Sequence, residues 1–204
     1  MTTRKHVVIS AAVEGPSDEA IAKRLIVEAG GIPGPVFGKS GKSKLREQVR
    51  AYNMAAKQRP WFVLVDLDRE ECPSSLLNSW LPAPEPRMCF RVAVRMLESW
   101  LLADSDRIAQ FLGISERRVP KAPESLIDPK QALIELARRT RKRDIKADMV
   151  PRPGSGRSIG PGYTSRLIEF SALSEQGWRP EIAVKRSTSL RRCRLALERL
   201  VQGG

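Results

Sequence analysis

Five consecutive apolar residues, Trp61-Phe62-Val63-Leu64-Val65, run directly into Asp66-Leu67-Asp68. No polar residue interrupts the run, so as a strand it has no face to offer to water. Strands of this kind belong to parallel sheets covered on both sides. The neighbouring sequence supplies the covering elements. Residues 7–13 form a β-branched run ended by Glu14-Gly15-Pro16 and predict a first buried strand. Ser17 is placed to cap a helix whose first turn holds Asp18 and Glu19, where the helix dipole favours anions. Ile21, Leu25 and Ile26 give that helix an apolar face, and Gly30-Gly31 stops it.

The same reasoning predicts a short strand at 35–37, a helix over 44–58, a short helix at 74–80 and a strand at 88–95. Residues 96–103 predict a helix that continues or restarts through Phe111 and ends at Gly113. Strand and helix thus alternate about four times, the signature of an α/β parallel sheet. Right-handed crossovers then place all strand C-termini on one edge. The expected fold class is α/β over 1–112: a central parallel sheet of about four strands flanked by helices. Residues 113–204 read as a basic, all-helical region packed on it. Helices are expected over 129–142, 163–173 and 190–201, with a loop rich in Pro, Gly, Ser and Arg over 149–162.

Charge divides along the same line. The chain carries a net charge of +13, of which +4 lies in residues 1–103 and +9 in 104–204. An excess of this size points to a polyanionic partner, with DNA or RNA the first candidate. A basic surface without such a partner is the alternative. No apolar run approaches the ~18–20 residues of a membrane helix, and the apolar stretch before Glu14 is too short for a signal-peptide core. The three cysteines, Cys72, Cys89 and Cys193, form neither a zinc pattern nor a disulfide framework. A reduced, cytoplasmic setting is expected. His6 is the sole histidine and is expected at the surface, so no triad can be built around an imidazole. Any catalysis must rest on carboxylates, Lys, Arg, hydroxyls or a metal.

Three acidic sites carry the chemistry. Glu14 follows the first strand, Asp66 and Asp68 follow the central one, and Glu98 follows the fourth. The strand C-termini of a parallel sheet share the edge where α/β proteins bind ligands. Carboxylates are hard oxygen donors suited to Mg²⁺ or Mn²⁺, and without a cation their mutual repulsion raises at least one pKa. Each residue also has a plainer reading. Asp66 or Asp68 can cap the following turn, Glu14 can be a turn residue, and Glu98 can start a helix beside Arg91 or Arg95.

Val13-Glu14-Gly15-Pro16-Ser17-Asp18-Glu19 resembles the first motif of the TOPRIM domain, and Val63-Leu64-Val65-Asp66-Leu67-Asp68 resembles its second, Asp-x-Asp. The chain is more closely similar to a bacterial TOPRIM-like family known as domain of unknown function 4276. Met96-Leu97-Glu98-Ser99-Trp100-Leu101-Leu102-Ala103-Asp104 resembles its Glu-x-Trp-Leu-x-Ala-Asp helix. Trp178-Arg179-Pro180 and Ser187-Thr188-Ser189-Leu190 resemble its C-terminal region. The resemblance implies a Mg²⁺-dependent (or Mn²⁺-dependent) phosphoester site like that of small nucleases related to the overcoming-lysogenization-defect group. It implies that Asp66 and Asp68 hold the metal, that Glu14 is a general acid/base or further ligand, and that Glu98 is a fourth carboxylate. It also implies a place in anti-phage defence beside a separately encoded ATPase. The sequence is compatible with an oligomer.

Basic residues offer contacts to a nucleic-acid backbone. Lys39, Lys42 and Lys44 lie in or beside a Gly-Ser loop that can reach the acidic edge, although solvated loop lysines are the plainer reading. Gly41-Lys42-Ser43 lacks the earlier glycine of a P-loop, because position 36 is Val, so an ATP-binding loop is rejected. Arg138, Arg139, Arg141, Lys142 and Arg143 form the densest positive run: an exposed helix end, or a clamp on a polyanion. A topoisomerase or a primase does not fit, whereas a small ribosomal-RNA maturase does. Two functions are therefore carried forward: a metal-dependent nuclease, and a non-catalytic nucleic-acid-binding or ATPase-partner protein with a degenerate site.

Overall fold

A computed structural model describes residues 7–172 and 174–203; His6 lies outside them. Four strands, β1 (Val8–Val13), β2 (Ile32–Gly38), β3 (Trp61–Asp66) and β4 (Met88–Ala93), form one sheet. Every pairing is parallel, and the strand order is β2-β1-β3-β4. The run that suggested a doubly covered strand is β3, where no residue from Trp61 to Val65 is more than 3% exposed. The expected α/β class and strand number are both found. The chain moves outward from β1 to β2, then crosses back to place β3 on the other side of β1. That reversal makes the C-terminal ends of β1 and β3 the switch point, where open parallel sheets leave a crevice.

The chain divides into two compact units. The first runs to Ala93 and takes back the segment from Arg191. It holds the sheet, α1 (Pro16–Glu28), α2 (Lys42–Ala55) and α3 (Pro73–Trp80). Ser17 does not cap α1, as the sequence suggested. Gly15 is the N-cap, Pro16 takes the first helical position, and the Asp18 carboxylate accepts the Gly15 N–H at 2.9 Å. Proline suits that position because its missing N–H would be unpaired there in any case. β2 begins three residues earlier than predicted, since Val8 and Ile9 of β1 pair with Ile32 and Pro33. α2 begins two residues earlier than predicted, at Lys42, because Gly41 turns the chain with φ 89°.

The second unit, Val94–Leu190, contains no strand among the described residues. Its helices are α4 (Leu97–Ala103), α5 (Ser105–Leu112), α6 (Pro129–Arg138), α7 (Arg143–Met149), α8 (Tyr163–Ser171) and α9 (Pro180–Ala183). α10 (Thr188–Gln202) starts in this unit and ends in the first. The helix predicted over 129–142 stops at Arg138, and a separate α7 follows a short turn. Thr140 explains the break: its hydroxyl donates to the Leu112 carbonyl and accepts the Lys142 N–H at 3.0 Å. The unit's centre is built from the two tryptophan segments. Trp178 Nε1 donates to the Trp100 carbonyl at 3.0 Å, and Trp100 Nε1 donates to Ser189 Oγ at 2.7 Å. Among the described residues no helix is long and apolar enough to cross a membrane.

Candidate active site

The β1–β3 register sets Ala12 against Val63, so Glu14 reaches the level of the end of β3 two residues later. There the Asp66 N–H donates to Glu14 Oε1 at 2.9 Å. The loop after β2 is tied to the same place. Lys39 N–H donates to the Val13 carbonyl at 2.9 Å, and Gly41 N–H to the Glu14 carbonyl at 3.0 Å. Gly38 has φ 83°, and a β-carbon there would collide with the Val13 carbonyl oxygen, so this close approach requires glycine. The loop delivers Lys42 to the switch point. Its Nζ donates to the Asp66 carbonyl at 2.6 Å and to Asp68 Oδ2 at 2.7 Å. Asp68 itself sits in the left-handed region at φ 54°, a conformation that Asp tolerates better than most residues. Strain of this kind gathers at functional sites.

Burial pushes the Glu14 carboxyl up to about 7, against the opposing pull of the Asp66 N–H and Lys42; Asp18 and Asp68 add to the rise. A carboxyl titrating near neutrality can both accept and give a proton at ambient pH. Glu14, Asp66 and Asp68 are hard oxygen donors, and that chemistry fits Mg²⁺ or Mn²⁺. As arranged, the positive charge beside Asp68 is the Lys42 ammonium. Among the described residues no group of three His, Cys, Asp or Glu side chains is set to hold a metal ion.

Glu98 lies in the second unit, in the first turn of α4, and is 5% exposed. Its Oε1 accepts the Tyr163 hydroxyl at 3.0 Å and lies 3.8 Å from Lys130 Nζ. Two of the loop lysines are paired elsewhere: Lys39 with Glu19 at 3.1 Å and Lys44 with Glu47 at 2.9 Å. The basic run around α6 is not one surface. Arg138 ends α6 and pairs with Glu135 at 3.1 Å. Lys142 Nζ donates to the carbonyls of Gln110 and Phe111 at 3.0 and 2.9 Å, at the C-terminal end of α5. Arg139, Arg141 and Arg143 are exposed.

The sequence reasoning missed Asp18, read only as a first-turn residue, although its carboxylate acts on Glu14. The signal available was its place four residues after Glu14, where a helix start folds back toward the strand end. Comparison with models of protein families, with curated proteins and with solved structures returns no match.

Proposed function

We propose that the chain is a metal-dependent hydrolase of phosphodiester bonds in DNA or RNA, with its site at Glu14, Asp66 and Asp68. One observation carries the reading: the Asp66–Glu14 hydrogen bond joins two carboxylate-bearing strand ends at the switch point of a parallel sheet. Asp66 and Asp68 would hold Mg²⁺ or Mn²⁺, with Glu14 as a further ligand. A bound divalent ion supplies Lewis-acid polarisation of a phosphoryl oxygen and lowers the pKa of water. Glu14 holds a proton at its carboxyl near neutral pH and can release it there. Lys42 offsets negative charge next to Asp68. Glu98, the fourth carboxylate that the resemblance implies, accepts the Tyr163 hydroxyl and lies near Lys130 within its own unit.

The net charge of +13 supports a polyanionic substrate. The resemblance to the TOPRIM-like family supports the same chemistry, a role in phage defence and a separately encoded ATPase as partner. The test is a cleavage screen of DNA and RNA with Mg²⁺ or Mn²⁺. Cleavage should vanish in Asp66→Ala while the circular dichroism of the variant stays native. Undiminished cleavage by that variant refutes the assignment.

The Lys42–Asp68 ion pair favours a second reading, a non-catalytic nucleic-acid-binding protein whose acidic site is neutralised from within. That reading predicts oligonucleotide binding with no cleavage under any divalent metal.

A further inference from the structure

The helix that brings Lys42 to the acidic site continues away from it with Ser43, Arg46, Glu47 and Arg50 on one face. Positions three, four and seven apart share a face of an α-helix. Facing them from α3 are Ser79 and Trp80, and together the six side chains line a surface groove of about 510 Å³. The groove is basic. Among the described residues neither Arg46 nor Arg50 makes an ion pair with a carboxylate, and Glu47, the acid in the lining, is engaged by Lys44 at 2.9 Å. The Arg46 guanidinium carbon stands 5.8 Å from the centre of the Trp80 ring, within reach of a cation–π contact. A guanidinium beside an aromatic face keeps its N–H fork free for oxyanions.

We infer that this α2–α3 groove is a phosphate track that leads one strand of nucleic acid to the acidic site. Arg46 and Arg50 hold successive backbone phosphates, and Ser43 adds a hydroxyl donor. One turn of α2 separates the two arginines, roughly 6 Å along the axis, a spacing comparable to that of neighbouring phosphates on an extended strand. Continuity with the site is covalent, since Lys42 and Ser43 are adjacent. Arginine forks match phosphate oxygens, so the track is assigned to the backbone and not to the sequence. This inference rests on the proposed action on nucleic acid but not on catalysis.

The test uses the full chain with EDTA present, so that binding is scored without cleavage. Fluorescein-labelled single strands of DNA and of RNA are titrated at several salt concentrations and followed by anisotropy. Arg46→Gln/Arg50→Gln should bind at least tenfold more weakly. Its plot of log affinity against log salt should be shallower by about 1.4, since each contact on a single strand contributes ~0.7. A parent that binds neither probe overturns the track, as does a double variant with unchanged affinity and slope. Loss of binding in the double variant, with no cleavage by the parent in metal, keeps the track and removes the hydrolase. A difference between the DNA and RNA arms assigns the sugar.

Discussion

Glu14 and Asp104 both follow apolar runs, yet the two units treat them in opposite ways. Asp104 is fully buried, and its carboxylate accepts three N–H groups of Arg179: the backbone N–H at 2.9 Å, Nε at 3.0 Å and Nη2 at 2.7 Å. These bonds raise the Arg179 guanidinium further above its usual range. Glu14 is half-buried, accepts one backbone N–H and is displaced upward to about 7. A buried carboxylate met by a guanidinium fork stabilises its surroundings as built. One left with an elevated pKa beside other carboxylates is where a charge change can be used. The pairing therefore separates an acid committed to a guanidinium from one whose charge can change near neutral pH, more sharply than position in the sequence does.

The largest expected effect is on the structural side. Asp104→Ala leaves Arg179 without its main partner, and removing one member of a buried pair costs about 3–5 kcal/mol. Urea denaturation should register that loss, whereas Asp66→Ala should change stability by less than about 1 kcal/mol. Equal losses in the two variants would erase the distinction between the units.

Glu14 gives the next effect, and it depends on pH. Its carboxyl is raised in the folded chain from 4.5 to about 7, so between those values the folded state binds more protons than the unfolded state. Stability from this group is therefore greatest below 4.5, falls as pH rises to about 7 and is flat above. The full fall is on the order of 3 kcal/mol. Glu14→Gln should abolish it, so the difference between parent and variant in urea midpoint should grow from pH 4.5 to pH 7.5. A difference that is constant with pH would place Glu14 in the same class as Asp104.

The smallest effects divide the basic run. Lys142→Gln removes a cation from the last carbonyls of α5 and should cost about 0.5–1 kcal/mol in thermal or urea unfolding. Arg141→Gln should stay within about 0.5 kcal/mol. The reverse ranking would make Arg141 the structural member of the run.

Much of this arrangement was legible because its causes are local. The continuous run of β3, the β-branched β1 and the Gly113 stop each follow from a few adjacent residues. The strand ends that carry Glu14 and Asp66 could be placed on one edge from topology rules alone. What escaped depends on partners distant in sequence. β2 is extended by its pairing with β1, and α6 is cut short by Thr140 bonding back to Leu112. Lys42 reaches Asp68, 26 residues on, and Arg179 reaches Asp104, 75 residues back. No periodicity encodes such meetings.

The most direct measurement is calorimetric titration of Mn²⁺ into the metal-free chain near pH 6.5, repeated in buffers of different ionisation enthalpy. The predicted result is one ion bound per chain with release of a proton from Glu14, and loss of that binding in both Asp66→Ala and Asp68→Ala. Absence of binding, or binding that survives both substitutions, would contradict a metal site at the β1–β3 switch point.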